Sequence, residues 1–292
     1  MSRNRIVKDA IAKYVMLGLA FLVSILIFVI ACGLVAKSAP ILKLKSISEL
    51  ILSTAWKPSS GYFGFASFIL GTIWVTVVAM VLAVPSGILA AIYLAEYSHK
   101  RVRLLFKPVL DAAGGISPVI FGLFGVLVIV PFVKSLSPDS TGFSVLAAGI
   151  VLAIMIFPTI ASVAEEVIHS IPCEARESSL ALGATGWETI KYVVLRKAGP
   201  GIIAAIILGL SRAFGETIAV LMVVGNVAQV PKSLFDAAYT LPALIANNYG
   251  EMMSIPLYDS ALLFAALILL VVTVFFNIAA WLILLKIERS YV

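Results

Sequence analysis

Six apolar segments, each long enough to cross a lipid bilayer, constrain this sequence more than any other feature. A hydrocarbon core about 30 Å thick needs ~20 predominantly apolar residues per helix. Only 12% of the residues are charged, whereas soluble domains contain about a quarter. The sequence therefore predicts an all-α membrane protein with six transmembrane helices. The predicted spans are 14–36, 65–97, 108–133, 143–164, 201–225 and 259–285.

The distribution of Lys and Arg predicts the orientation of these spans. Fourteen of the 21 basic residues fall in the N-terminus, the second–third and fourth–fifth connections and the tail, against six in the other connections. Short cytoplasmic loops carry the excess of Lys and Arg, so both termini are predicted to be cytoplasmic. The basic residues flank the spans instead of forming one patch, which argues against nucleic-acid binding. The predicted parts are a cytoplasmic N-terminus (1–13), a first span (14–36), an external loop (37–64), a membrane core (65–285) with a cytoplasmic connection (about 166–197) and an external loop (about 228–258), and a cytoplasmic tail (286–292).

Three features of the sequence favour ordinary structural roles. The run Val29-Ile30-Ala31-Cys32 fits a loose lipoprotein cleavage pattern. The apolar region is longer than a signal core and five further spans follow, so we expect a retained helix. Cys32 and Cys173 are predicted at different depths, which disfavours a disulfide. His99 and His169 stand in separate charged connections and are predicted to be solvated, and no cluster of metal ligands is present.

Small residues and a proline open the third predicted span, in the stretch 111–118, DAAGGISP, which contains Ser117. Such residues at membrane depth indicate either close helix packing or a helix break that faces a cavity. A break in a transporter offers unpaired backbone N–H groups to an anion. Both interpretations stay open at this point.

The external connection 228–258 carries apolar residues at three- and four-residue spacing. This spacing predicts a short amphipathic helix at the membrane surface. It is either an ordinary loop helix packed on the bundle or a gate or docking element. The residues are Leu234, Phe235, Ala238, Leu241, Leu244 and Ile245.

The cytoplasmic connection between the fourth and fifth spans predicts two short helices joined by a sharp turn. Pro172 is placed to open the first helix and Gly183 to end it. Residues 185–188, TGWE, have capping-box spacing and are predicted to start the second helix. An apolar stripe makes the pair either a docking surface for a soluble partner or a cap on its own bundle. The stripe consists of Leu180, Leu182, Trp187, Ile190 and Val194.

Arg212 and Glu216 stand in the middle of the fifth predicted span. At positions i and i+4 of a helix they share one face and are predicted to pair. A charge at the centre of the bilayer costs at least ~2.5–3.5 kcal/mol, so such residues usually line a pathway, although a structural ion pair is the alternative. A guanidinium offers an oxyanion a flat fork of donors. Neutral donors in or near this helix are Ser211, Thr217 and Asn226, and together with Ser117 they are the other residues predicted to line the substrate path.

The cytoplasmic connection also resembles the EAA loop of permeases of ATP-driven (ABC) importers. The stretch 177–183, ESSLALG, is followed after nine residues by 193–195, VVL, although serines replace the two usual alanines and Arg196 replaces a proline. In that family the loop is the coupling helix, which seats in a cleft of the ATPase. The residues implied to contact the ATPase are Glu177, Ser178, Ala181, Gly183, Ala184, Trp187 and Leu195.

A wider set of motifs resembles the PstC family of bacterial phosphate permeases, over residues 65–290. The motifs are 117–125 (SPVIFGLFG), 181–185 (ALGAT), 187–190 (WETI), 215–217 (GET), 225–226 (GN) and 233–236 (SLFD). The resemblance implies a type I ABC-importer permease fold, a phosphate-importing complex and a location in the bacterial inner membrane. It places Arg212, Glu216 and Thr217 at the translocation path.

The resemblance also implies the partners of such a chain. They are a second, PstA-like permease, a PstB-like ATPase dimer and an external PstS-like phosphate-binding protein. The sequence contains no G-x-x-x-x-G-K-[ST] nucleotide loop. We therefore expect ATP and magnesium at the partner ATPase, with no cofactor, metal or catalytic residue on this chain. An ABC permease for sulfate, molybdate or phosphonate stays open, and a secondary transporter or an intramembrane enzyme fits less well.

Overall fold

The computed structural model describes residues 3–250 and 255–290. The first two and last two residues, which belong to the predicted cytoplasmic termini, and residues 251–254 of the predicted external loop lie outside the described residues. The helices are α1 (Arg3–Leu44), α2 (Ile47–Leu52), α3 (Ala66–Tyr97), α4 (Lys100–Gly114), α5 (Pro118–Leu136), α6 (Val145–His169), α7 (Cys173–Ala181), α8 (Gly186–Gly215), α9 (Ile218–Val223), α10 (Leu241–Asn248) and α11 (Tyr258–Ser290). Strands β1 (Trp56–Lys57) and β2 (Tyr62–Phe63) form one antiparallel hairpin.

Six of these helices, α1, α3, α5, α6, α8 and α11, are long and apolar enough to span a membrane, as predicted. Helix α6 lies at the centre. In its most apolar stretch of 18 residues, 67% of the residues are buried, whereas none are buried in the corresponding stretch of α1. Helix α3 packs closely on α6 because small residues let the two backbones approach. A Cβ on Gly149 of α6 would lie 2.4 Å from Val78 of α3, and one on Gly87 of α3 would lie 3.0 Å from Ile160 of α6.

Helix α1 continues to Leu44 through Pro40, although the sequence predicts an external loop from residue 37. A proline removes an N–H from the helix and normally kinks or ends it. The hydroxyl of Ser260 in α11 contacts this turn, because it donates to the carbonyl of Lys37 at 3.0 Å and accepts from the N–H of Ile41 at 3.2 Å. A tertiary contact thus supports the turn of α1 that contains Pro40.

The end of the molecule that carries the β1–β2 hairpin, predicted to be external, is closed by aromatic packing rather than by the predicted amphipathic helix alone. The ring centroid of Trp56 in the hairpin lies 5.0 Å from that of Phe68 and 5.8 Å from that of Phe63. Within the predicted loop 228–258, the described residues are helical over α10 and at Tyr258, where α11 begins. The part around Phe235 is non-helical, since Ala238 pairs with Gly225 in an isolated parallel bridge.

The cysteines are both free, as expected. His169, predicted to be solvated, is exposed but contacts Arg103 of α4, since its Nε2 lies 2.6 Å from an Arg103 guanidinium nitrogen. This contact forms because α4 packs along the end of α6 that carries His169.

Candidate functional site

Two of the predicted spans are broken in the structure. The third predicted span begins at Pro108, but residues 108–114 belong to α4, and the spanning helix α5 starts at Pro118. The fifth predicted span extends to residue 225, but α8 ends at Gly215 and a new helix, α9, starts at Ile218. The second predicted cytoplasmic helix is the first turn of α8 and continues through a π-turn at Ile190–Val194 into the membrane passage.

The small residues of this stretch coincide with a helix break between α4 and α5, and close helix packing follows just beyond it. The chain is non-helical between Gly115 and Ser117, and Pro118 fixes the start of the next helix. Beyond the break, a Cβ on Gly122 would lie 2.5 Å from the sulfur of Met222 in α9. The small face of α5 therefore also packs closely against α9.

Arg212 joins the two broken passages. Its guanidinium donates to the carbonyl of Gly114, the last residue of α4, at 2.9 Å and to the hydroxyl of Thr159 in α6 at 2.7 Å. The last carbonyls of a helix lack intrahelical partners and form the negative end of its dipole. Arg212 therefore caps α4 across the bundle.

The predicted ion pair between Arg212 and Glu216 is wrong for this structure. The i, i+4 geometry requires a helix through both residues, but Gly215 ends α8 and Glu216 has an extended backbone, with φ −75° and ψ 121°. A carboxylate oxygen of Glu216 instead accepts from the N–H of Ala219 at 3.2 Å, in the first turn of α9. Arg212 makes no ion pair with any described carboxylate.

Arg212 consequently keeps donors for another ligand. A guanidinium has five N–H donors, and bonds to protein acceptors among the described residues use one on each of its two amino groups. The side chain is half-buried. A cation without a neutralising carboxylate, at a break in two membrane passages, is suited to an anionic ligand.

Glu216 lies beside a group of threonine hydroxyls. It lines a cavity of about 10 Å³, which is room for about one water molecule. The hydroxyl of Thr240 is buried there without a protein partner. The other hydroxyl-bearing residues of this cavity are Thr72 and Thr76.

The other predicted path residues are spread around this junction rather than gathered at it. Ser211 is half-buried, and its hydroxyl contacts Asn277 of α11. Thr217 lies in the break and its hydroxyl donates to Gly215 at 3.4 Å, whereas Ser117 is exposed in the other break. Asn226 follows α9 with φ 53°, and it lines a separate cavity of about 350 Å³.

Thr159 and Ser162 belong to this region but were not predicted from the sequence, whereas Asp111 and Gly114 fall in the stretch 111–118 already singled out. The hydroxyl of Ser162 in α6 donates to the carboxylate of Asp111 in α4 at 2.6 Å, one turn below the Gly114 contact. Hydroxyl residues inside an apolar span are common helix-packing residues. Nothing in the sequence distinguishes Thr159 from such residues.

The second candidate site is the helix pair formed by α7 and the start of α8, in the connection predicted to be cytoplasmic. The capping box is confirmed: the Thr185 hydroxyl accepts from the Glu188 N–H at 3.3 Å, and the Glu188 carboxylate accepts from the Thr185 N–H at 2.8 Å. Gly183 supplies the turn with φ 88°, in the left-handed region that glycine tolerates best. The hydroxyl of Thr189 donates to that of Ser179 at 3.0 Å and ties the two helices together.

The apolar stripe of this pair is divided between the core and the surface. Ile190 and Val194 are 7% and 0% exposed and pack in the cluster at this end of the bundle. Leu182 is 91% exposed, with Leu180 at 50% and Trp187 at 54%. Of the residues predicted to contact an ATPase, Glu177, Ser178, Ala181, Gly183 and Trp187 are exposed, and Ala184 and Leu195 are half-buried.

Arg176 anchors α7 to the bundle. Its guanidinium donates to both carboxylate oxygens of Glu96 in α3, at 2.6 and 3.3 Å, and to the carbonyl of Ile168 at 3.1 Å. The bonds to Glu96 raise the pKa of Arg176 above its usual value. The exposed apolar surface is therefore held on a rigid support. No group of three or more metal-ligating side chains occurs among residues 3–250 and 255–290.

Residues 83–288 match the family of binding-protein-dependent transport system inner membrane components, and the chain belongs to this family. The chain is 39% identical to the probable ABC transporter permease YqgH of Bacillus subtilis, with 78% of this chain and 74% of that protein covered. It is 33% identical to the phosphate transport system permease PstC of Haemophilus influenzae, with 93% and 91% covered. The PstC protein of Xylella fastidiosa is 34% identical, with 85% and 82% covered, so the predicted resemblance to the PstC family is confirmed.

Solved structures show the same fold. A bacterial ABC transporter involved in the import of alginate is 16% identical with a TM-score of 0.66, with 97% of this chain and 99% of that chain covered. The MetNI methionine ABC transporter in an inward-facing conformation is 20% identical with a TM-score of 0.55, with 74% and 91% covered. The chain therefore has the type I ABC-importer permease fold, as predicted.

Membership of this family defines the class of protein. The chain is a multi-pass membrane protein and the permease subunit of an ABC transporter. The family implies three kinds of partner: an ATPase, a substrate-binding protein and another permease.

Proposed function

We propose that this chain is the PstC-type permease of an importer of inorganic phosphate in the bacterial inner membrane. The observation that carries the proposal is Arg212, a half-buried cation without a carboxylate partner at the junction of two broken membrane passages. The relatives named PstC support phosphate as the anion. A guanidinium fork matches the oxygens of a tetrahedral oxyanion.

Arg212 also explains how binding of the anion acts on the structure. The contacts with Gly114 and Thr159 hold the end of α4 against α6 and α8. A phosphate that takes donors of the same guanidinium competes with these contacts. Alternating access then includes a state in which Arg212 binds the anion and a state in which it caps α4.

In this proposal the α7–α8 pair couples transport to ATP hydrolysis on a separate, PstB-like ATPase dimer. Leu180, Leu182 and Trp187 form an apolar docking surface, here called the coupling surface. The capping box and the Arg176–Glu96 pair give it the rigidity that transmission of a domain movement requires. ATP and magnesium belong to that partner, and this chain itself binds no cofactor.

The remaining partners in the proposal are a PstA-like permease and a PstS-like phosphate-binding protein at the external face. Basic residues concentrate in the termini and in the second–third and fourth–fifth connections. We therefore expect both termini to lie in the cytoplasm.

Uptake of labelled phosphate tests the proposal in cells that lack their own high-affinity phosphate import. This chain is expressed there with the products of its neighbouring genes. We expect saturable uptake that requires this chain and is unaffected by excess sulfate or molybdate. Inhibition by either competitor assigns the permease to another oxyanion, which is the alternative that the guanidinium chemistry equally allows.

A further inference from the structure

A further cavity of the described residues reaches the region of the Arg212 junction only at Asp111 and includes no residue of the coupling surface. It has a volume of about 620 Å³ and lies between the end of α3, the outer part of α4 and the end of α6. Its walls combine charged and apolar residues. The basic members are Lys100, Arg103 and Lys107, and the apolar members include Leu94, Leu104 and Pro108.

The charges around this cavity leave an excess of one positive charge. Glu165 of α6, 1% exposed, pairs with Arg103 at 2.5 Å and with Lys107 at 3.4 Å. Asp111 is held by the hydroxyl of Ser162. Lys100 has no ion pair among the described residues, and it occupies the first turn of α4, at the positive end of the helix dipole.

The outer face of α4 is apolar next to this basic rim. Leu104, Leu105 and Val109 are 75%, 66% and 56% exposed. A helix with basic residues beside exposed leucine and valine is typical of a segment that lies in the membrane interface. The positive residues of the second–third connection predict that this interface is the cytoplasmic one.

We propose that the cavity binds the headgroup of a singly charged anionic phospholipid of the cytoplasmic leaflet. Lys100 and the remaining donors of Arg103 contact the lipid phosphate, and the wall formed by Leu94, Leu104 and Pro108 receives the glycerol and the first acyl carbons. Basic pockets between transmembrane helices on the cytoplasmic side are known to bind the phosphate-bearing headgroups of anionic lipids. A free phosphate ion shares the phosphoryl chemistry but has no apolar group that could contact the apolar wall.

The site is independent of the transported substrate and is tested on the complete transporter. The complex is purified in detergent, and retention of labelled phosphatidylglycerol is measured against phosphatidylcholine with the same acyl chains. We expect preferential retention of phosphatidylglycerol that excess inorganic phosphate does not displace. Equal retention of the two lipids, or displacement by inorganic phosphate, overturns the proposal.

Two neighbouring residues provide a matched pair of variants. Lys100→Gln removes a cation from the cavity, whereas Arg101→Gln removes one from the adjacent residue, which is exposed and does not line the cavity. We expect Lys100→Gln to weaken phosphatidylglycerol retention about fivefold, the effect of one cation near an anionic surface, and Arg101→Gln to leave it unchanged. Equal losses in both variants mean diffuse surface attraction and contradict a built site.

A third variant tests the cavity itself while leaving every charge in place. Ala95 lines the cavity and is half-buried, so Ala95→Leu fills part of the space. We expect lower retention of phosphatidylglycerol with unchanged co-purification of the partner subunits. Full retention in a variant that assembles normally shows that the lipid lies elsewhere.

Discussion

The α7–α8 pair and the Arg212 junction differ in how their structure depends on the sequence. In the α7–α8 pair, neighbouring residues determine the shape: Thr185 and Glu188 cap one helix, and Gly183 supplies the turn. At the junction, residues distant in sequence determine it, since Arg212 contacts Thr159 and Gly114 across 53 and 98 positions. A docking surface therefore needs local rigidity, whereas the junction depends on contacts that a conformational change can exchange.

The largest effect is expected from removing the cation of the junction. Arg212→Ala is expected to reduce phosphate uptake to background, because Arg212 is the cation that binds both Gly114 and Thr159. Arg212→Lys is expected to retain part of the activity, since a point charge remains but the fork of donors is lost. Labelled-phosphate uptake measures both variants.

Co-purification of the partner subunits is the control for these variants. Normal assembly with no uptake assigns the loss to transport. Normal uptake by Arg212→Ala contradicts a role of Arg212 in the path.

A smaller but still large effect is expected at the coupling surface. Leu182 is 91% exposed, so Leu182→Asp leaves the fold of this chain within about 0.5 kcal/mol. Loss of a central apolar contact weakens a protein interface by about tenfold or more. We therefore expect poor co-purification of the ATPase, whereas Leu182→Met, which conserves volume and polarity, is expected to bind normally.

The stability of the purified Leu182→Asp chain shows whether a loss of ATPase binding comes from a lost docking contact or from a misfolded chain. If Leu182→Asp retains the ATPase at the normal ratio, Leu182 makes no docking contact, and the exposed stripe is a surface cap.

An intermediate effect is expected from changing the turn between α7 and α8. A Cβ on Gly183 would meet nothing within 4 Å, so the penalty comes from φ 88° and not from lack of space. A left-handed backbone costs a residue with a Cβ about 1–2 kcal/mol. Gly183→Ala and Gly183→Leu are therefore expected to reduce substrate-stimulated ATP hydrolysis to a similar extent.

Gly183→Asn is the matched control, because asparagine tolerates the left-handed region better than other residues. A much larger loss for Gly183→Leu than for Gly183→Ala would mean that the partner ATPase approaches this position closely. That result would extend the coupling surface to include Gly183.

The sequence predicts well the long helices of this protein and the features that depend on local signals. Apolar length and helix caps are properties of neighbouring residues, so the six spans and the turn at Gly183 follow from them. The continuation of α1 through Pro40 does not, because the contact that supports this turn comes from Ser260, a residue 220 positions away in the sequence. The break after Gly215 is similar, since a lone glycine inside an apolar run is compatible with a continuous helix.

The candidate site follows the same rule. The cost of charge in a membrane identifies Arg212 and Glu216 from sequence alone. Their partners are set by the packing of α4, α6 and α9, which no local pattern encodes. The helical pairing rule applied to residues 212 and 216 therefore assigns each charge to the wrong partner.

The smallest effect, and the sharpest test of this comparison, is the energetic coupling between Arg212 and Glu216. A double-mutant cycle compares Arg212→Gln, Glu216→Gln and the double variant by the free energy of unfolding of the detergent-solubilised complex. The structure gives these residues separate partners, so the two losses are expected to add within about 0.5 kcal/mol. Residues in direct contact typically show coupling of ~0.5–3 kcal/mol, and a value in that range would mean that the two charges pair in the resting complex. The same cycle measured with saturating phosphate then reports whether anion binding changes the partner of Arg212. A ligand that takes donors of this guanidinium alters the free energy of unfolding that is lost with Arg212. It does not alter the cap that Glu216 provides to α9.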